Sequence, residues 1–295
     1  MKARTIASDL GWPEGPSVLD DGRIVFVETF KSRVSVYSAD SGVTEYAFTG
    51  GGPNATCLGD DGYVYVTQNG GSIAGFEADA AAPPSIQRIA PGGGAVEIVV
   101  TEVAGYALRA PNDLAFGPDG RLYFTDPGEF AFVNAKDRGR IFALEPDGTG
   151  ELLIEMDPTY PNGIVVEPDG SVVWVESLSR LVRRRRPDGA IELICTLPEG
   201  HLPDGLALAE DGRLFICVTE AGGLDVVSSD GETIEFVPLG LLMTNAAFAG
   251  QTLYVTDANQ SGHDTAKITG VVWQAELDDA KGQDLFRGRI DPQRD

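Results

Sequence analysis

A proline followed by an acid or an amide recurs along this chain, and each time an Asp-Gly pair comes eight residues after the proline and opens a β-rich run. Pro13-Glu14-Gly15 leads to Asp21-Gly22 and Ile24-Val25-Phe26-Val27, and Pro53-Asn54-Ala55 to Asp61-Gly62 and Val64-Tyr65-Val66. Pro111-Asn112-Asp113, Pro161-Asn162-Gly163 and Pro203-Asp204-Gly205 repeat the pattern, and Thr244-Asn245-Ala246 before Leu253-Tyr254-Val255 is a degenerate sixth copy. The second residues of these units are 40, 58, 50, 42 and 41 positions apart. Short strands at a period of about 40–50 residues mark propeller blades.

Asp-Gly between apolar runs is a strong hairpin signal, because both residues tolerate the positive φ of tight turns. A third run follows, and often a fourth after another turn, for example Arg140-Ile141-Phe142-Ala143-Leu144 and Glu151-Leu152-Leu153-Ile154. The chain therefore reads as an all-β, six-bladed β-propeller with four antiparallel strands per blade and almost no helix, a single domain over 1–295. The wide second and third spacings leave room for longer loops, such as Ala78 to Pro84. The last unit runs short after Gly270 to Leu277, so Arg4-Thr5-Ile6-Ala7 is expected to supply its outer strand and close the ring. The polar tail from about 281 is expected to fray.

Equal phase around a ring brings Glu14, Asn54, Asn112, Asn162, Asp204 and Asn245 to one mouth of the central channel. Asn and Asp after proline are also ordinary turn residues, which bond their own backbone. Glu14 is a poor turn former, and its presence in the same slot favours ligation. Oxygen donors that include two carboxylates and no imidazole suit a hard cation, calcium first, with magnesium or manganese next. Zinc prefers His and Cys, which the set lacks.

On these residues the chain resembles the senescence-marker-protein/gluconolactonase/luciferin-regenerating-enzyme family. The most specific pieces are Glu14-Gly15-Pro16, Pro111-Asn112-Asp113 with Tyr123-Phe124-Thr125-Asp126-Pro127, Pro161-Asn162-Gly163 and Pro203-Asp204-Gly205. The resemblance implies a six-bladed propeller with one divalent cation, calcium or else Mg²⁺, Mn²⁺ or Zn²⁺. It implies Glu14, Asn162 and Asp204 as ligands, Asn112 as a fourth ligand or a substrate contact, and Asp204 as general base. The implied reaction is hydrolysis of a lactone, with the cation polarising the ester carbonyl. The alternatives are phosphotriester or aryl-ester hydrolysis, a metal-assisted non-hydrolytic step on a small apolar substrate, and a non-catalytic binding propeller. Asn54, Asn245, Arg109 and His201 are the expected substrate contacts, His201 being three residues before Asp204. Two departures stand out. Ala110 occupies the place of an arginine found in sugar lactonases, with Arg109 one step earlier, and Glu28 replaces an aspartate in the first return strand.

Forty-five Asp and Glu against 22 Lys and Arg give a net charge of −23, which repels phosphate backbones and anionic lipid. A small-molecule partner, with no nucleic acid and no membrane, follows. Arg183-Arg184-Arg185-Arg186 reads as the third strand of the fourth blade, paired with carboxylates. Phe30, Phe130 and Phe132 are expected near the mouth, and His263 follows the last Tyr254-Val255-Thr256-Asp257 run. Three cysteines without a CxxC pair, no long apolar window and no apolar leader behind Met1 point to a reduced, cytoplasmic protein. Oligomeric state is not encoded in any of these features.

Overall fold

In the computed structural model, residues 1–73, 76–129, 137–259 and 268–292 are described. Phe130, Phe132 and His263 lie outside them. The repeat becomes six four-stranded antiparallel sheets. Blade 1 is Pro13–Val18, Ile24–Glu28, Arg33–Ser38 and Gly42–Phe48; blade 2 is Pro53–Leu58, Val64–Gln68, Ser85–Ile89 and Val96–Val100. Blade 3 is Leu114–Phe116, Leu122–Asp126, Gly139–Leu144 and Gly150–Met156; blade 4 is Pro161–Val166, Val172–Glu176, Leu181–Arg185 and Ile191–Thr196. Blade 5 is Pro203–Leu208, Leu214–Val218, Gly223–Val227 and Ile234–Pro238. Blade 6 is Met243–Ala249, Thr252–Asp257 and Gly270–Glu276, completed on its outer edge by Lys2–Leu10. The first strands contact one another in cyclic order, blade 6 against blade 1 included, so the ring is closed. Among the described residues the helical content is one 3₁₀ turn, Thr29–Lys31, and no helix is long and apolar enough to cross a membrane.

The Asp-Gly pairs make the inner hairpins. Gly22, Gly62, Gly120, Gly170 and Gly212 have φ between 78° and 86°, and each preceding aspartate accepts the N–H two residues on, as Asp21 does from Arg23. The second strands read as continuous apolar runs because they are buried on both faces; all five residues of Ile24–Glu28 and of Leu122–Asp126 are buried. Six apolar clusters result, one between each pair of neighbouring blades. Arg183 to Arg185 lie on the third strand of blade 4 and Arg186 just past it, with Arg183 on Glu176, Arg184 on Glu167 and Arg186 on Glu192.

As far as it is described, to 292, the tail does not fray. From Ala280 it crosses the end of the channel away from the proline-led loops. Gly282 N–H donates to Gly250 O, Gln283 N–H to Leu208 O, and Asp291 N–H to Pro146 O; Asp60 N–H donates to Gly288 O. Ile290 is fully buried, and its N–H donates to Tyr65 Oη at 2.8 Å. Mostly polar side chains hide this anchoring, because it runs through the backbone.

Candidate metal centre

In every blade but the third the polar residue lies within the first strand, at a bulge; Asn112 of blade 3 stands ahead of its strand, Leu114–Phe116. In blade 1 Glu14 pairs with Val27 and Ser17 with Val25, leaving one extra residue between them. The same irregularity follows Pro53, Pro161 and Pro203. A bulge re-aims a side chain, and here it turns the acid or amide toward the channel axis. Hydroxyls from the preceding blade fix the height of the ring. Thr29 donates to Pro53 O, Thr125 to Asn162 O, Ser177 to Pro203 O and Thr244 to Pro13 O, all at 2.7–2.8 Å, and Thr67 donates to Asn112 O. Sequence reading assigned these hydroxyls no role: four stand near the end of a return strand, at two different phases, and Thr244 lies on the first strand of blade 6.

Glu14, Asn54, Asn112, Asn162 and Asp204 converge, buried, on one cavity of about 50 Å³. A water needs roughly 10–15 Å³ of such space, so the cavity has the scale of an ion with a few waters. Asn245 does not join them. Ala247 pairs with Tyr254 as Ser17 pairs with Val25, which puts Thr244 in the slot of Glu14 and Asn245 one position further, in the slot of Gly15. The sixth unit lacks both the proline and the Asp-Gly pair that set the phase elsewhere. Asn245 packs over Gly205, where a Cβ would come within 2.0 Å of its Cγ, and faces the 400 Å³ channel below the cavity. There its Nδ2 reaches Asp113 Oδ2 at 3.3 Å. Asp113 fills the slot that Gly15, Ala55, Gly163 and Gly205 leave small.

Three carboxylates are thus buried near the axis. Burial, then Asp204 and Asp113, hold the Glu14 carboxyl well above its ordinary value, partly offset by hydrogen bonds from Gly15 and Asn245. Asp204 is raised by burial and by Asp113 against a hydrogen bond from Asn162. Burial pushes Asp113 up to about 6. Glu28, paired across the same hairpin, goes the other way. Burial would raise it, but Lys31, Gly11, Ser35 and Arg33 together bring it below the ordinary value. Its carboxylate is spent on Gly11 N–H and Arg33, so the longer acid in place of aspartate braces the entry loop. Asp126 does the same in blade 3, accepting from the N–H groups of Arg109 and Ala110 at 2.9 Å.

The two carboxylates at the cavity have no cationic side chain beside them among the described residues, and Asn54 Oδ1 is buried without a hydrogen-bond partner there. Those residues also contain no group of three or more His, Cys, Asp or Glu able to hold a metal, so a cation here would lean on amide oxygens as well. The donor set fits a hard cation on those terms. The Arg109 side chain pairs with Asp137 at 2.9 Å, and His201 Nδ1 is 2.9 Å from Asp225 Oδ2; neither residue lines the cavity. Phe30 stacks on Trp12, which does.

The family model described as SGL, the SMP-30/Gluconolactonase/LRE-like region, matches residues 12–259. The chain belongs to this family. A gluconolactonase of Zymomonas mobilis is 27% identical, covering 85% of this chain and 77% of its own. Among solved structures, a gluconolactonase from Xanthomonas campestris superposes with a TM-score of 0.74 at 22% identity, over 93% of this chain and 89% of its own. A calcium-binding regucalcin from Agrobacterium tumefaciens gives 0.75 at 18% identity, over 99% and 96%. These two superpositions speak for the fold; the family model and the Zymomonas relative carry the kinship.

Proposed function

We propose that this SMP-30/gluconolactonase-family protein is a lactonase-type hydrolase that works with a divalent cation, calcium first, in the channel mouth. The observation that carries the reading is a pair of buried carboxylates facing the orphaned Asn54 Oδ1 with no cationic side chain beside them. Burying such a pair uncompensated is costly, and a doubly charged ion removes the cost. Glu14, Asp204, Asn162 and Asn112 would hold it. Bound there, the cation supplies Lewis acidity to an ester carbonyl and stabilises developing oxyanion charge.

The chain's own groups do the rest. Asp204, steadied by Asn162, orients the attacking water and accepts its proton. Asn162 is in turn fixed by donating to Ser177 Oγ at 3.1 Å. Asn112 and Asn54 face the same space and orient the ester. The kinship to the Zymomonas gluconolactonase supports the reaction class, and the three free cysteines support a reducing compartment, the cytoplasm.

Metal analysis of the purified protein, with lactone turnover measured before and after chelation and after adding calcium back, tests the proposal. Asp204→Asn is expected to lower kcat/KM by roughly 10²–10⁴-fold and to weaken calcium binding. Turnover that survives both chelation and this substitution would end the assignment.

A further inference from the structure

The wall above the cavity differs in character from its floor. Trp12, Leu178, Leu202 and Leu242 line it and are half-exposed, and Tyr160 closes one side. Trp12 and Tyr160 have φ of 56° and 61°, the left-handed region, which bulky residues rarely adopt. Each is held there by its neighbours: Thr29 N–H donates to Trp12 O at 3.1 Å, and Ser177 N–H to Tyr160 O at 3.0 Å. Backbone strain maintained by surrounding bonds is a mark of a site. The strained Trp12 ring is stacked on Phe30, with centroids 5.4 Å apart, which makes a rigid apolar platform beside the carboxylates.

Among the described residues little polar capacity is left on that wall beyond the Tyr160 hydroxyl, which bonds the Asn112 side chain. Ser177 Oγ is committed to Pro203 O and to the Asn162 amide, and Thr219 Oγ1 leans on Leu202 O. No Lys, Arg or His lines the cavity among the described residues, and Arg109 is turned to Asp137. A ring ester that carries several hydroxyls would press them against leucines, and each unmet hydroxyl costs on the order of tenfold or more in affinity. An alkyl substituent gains instead, by up to about fourfold per fully buried methylene.

We infer that the substrate is a lactone bearing an alkyl or aryl substituent, not a polyhydroxylated sugar lactone. The inference rests on the hydrolase reading above and narrows its substrate class. Only the ring ester needs to reach the polar floor, while the substituent lies on Trp12 and the leucines. Trp12 thereby becomes a specificity-determining residue.

The test uses the calcium-loaded protein on γ-butyrolactone, γ-hexalactone, γ-nonalactone and δ-gluconolactone. Turnover is followed by pH-stat, and binding by tryptophan fluorescence in separate titrations. The expected result is a kcat/KM that rises at least tenfold from γ-butyrolactone to γ-nonalactone and exceeds that for δ-gluconolactone by a similar factor. Trp12→Ala should flatten the chain-length slope, and Trp12→Phe should restore most of it. A preference for δ-gluconolactone in both turnover and binding overturns the inference and leaves the hydrolase reading standing. Tighter binding of γ-nonalactone without turnover of any lactone upholds the apolar preference and overturns the hydrolase reading. A flat chain-length series in both measurements overturns the inference.

Discussion

The two ends of the central channel are made by the same six strands, yet they are finished in opposite ways. At the mouth Glu14 and Asp204 are buried with raised pKa values, Asn54 Oδ1 has no partner, and two aromatic residues carry left-handed backbones. At the far end the tail meets backbone groups of several blades, Ile290 is fully buried, and Arg287 pairs with Asp20. One end leaves polar capacity open, and the other closes it. The ring tolerates a destabilised mouth because stability is gathered elsewhere, between blades and under the tail.

The comparison breaks most sharply if the tail is removed. Deleting the residues from Lys281 onward exposes the pocket of Ile290 and frees the partners of its backbone bonds. Burial of one isoleucine is worth about 1.5–3 kcal/mol, and each lost hydrogen bond roughly 1 kcal/mol more. At about 2–4 °C per kcal/mol, the melting temperature should fall by roughly 15–30 °C, while calcium affinity stays within about twofold. Scanning calorimetry and isothermal titration calorimetry read the two quantities. A loss of calcium binding as large as the loss of stability would show that the ends are not independent.

Much of this division was legible in the residues. The proline-led phase located five of the six mouth residues, and the Asp-Gly pairs located the hairpins. Where the phase marks vanish, at Thr244-Asn245-Ala246, the register slipped by one and Asn245 was assigned to the wrong side of the floor. The bulges were not legible, since they depend on how the second strand pairs and not on a residue type. Neither was the tail, because Lys281 to Asp291 is anchored by amide groups that every sequence possesses. The depth of Asp113 was hidden for a related reason. Pro-Asn-Asp looks like a turn, and only the small residues at the equivalent slots of other blades show that its carboxylate projects into the channel.

Asp113 sharpens the comparison at intermediate cost. Its carboxyl lies at about 6 in the fold against an ordinary value of 3.8, so the penalty is absent below about pH 4 and grows as pH rises through about 6. In protein stripped of cations, Asp113→Asn should therefore raise the melting temperature at pH 8 and do nothing at pH 4. The shift corresponds to at most about 3 kcal/mol, less the weakened bonds to Ile164 and Leu114, so a net gain of roughly 1–2 kcal/mol is expected. The same substitution should weaken calcium binding, because it removes a negative charge from beneath the cavity. Thermal scans at both pH values, with and without calcium, check both signs. Destabilisation at pH 8 would mean that Asp113 serves the fold and not the mouth.

The smallest expected effect is at Tyr65, and it isolates a single contact of the far end. The ring is fully buried and meets Phe116 edge-on with centroids 5.3 Å apart, so Tyr65→Phe keeps the packing. What goes is the hydroxyl, which accepts from Ile290 N–H at 2.8 Å and shares its own proton between Asp61 Oδ2 at 3.1 Å and Ile290 O at 3.3 Å. The Ile290 N–H is then left in a buried place without its partner, at a cost of about 1–2 kcal/mol, or a few degrees in melting temperature. In the tail-deleted protein that N–H is gone, and the same substitution loses the bonds to Asp61 and Arg88 alone. The effect should therefore shrink by half or more, which a double-mutant cycle measures directly. Equal effects in both backgrounds would trace the stability to Asp61 and Arg88 instead and remove the tail from the account.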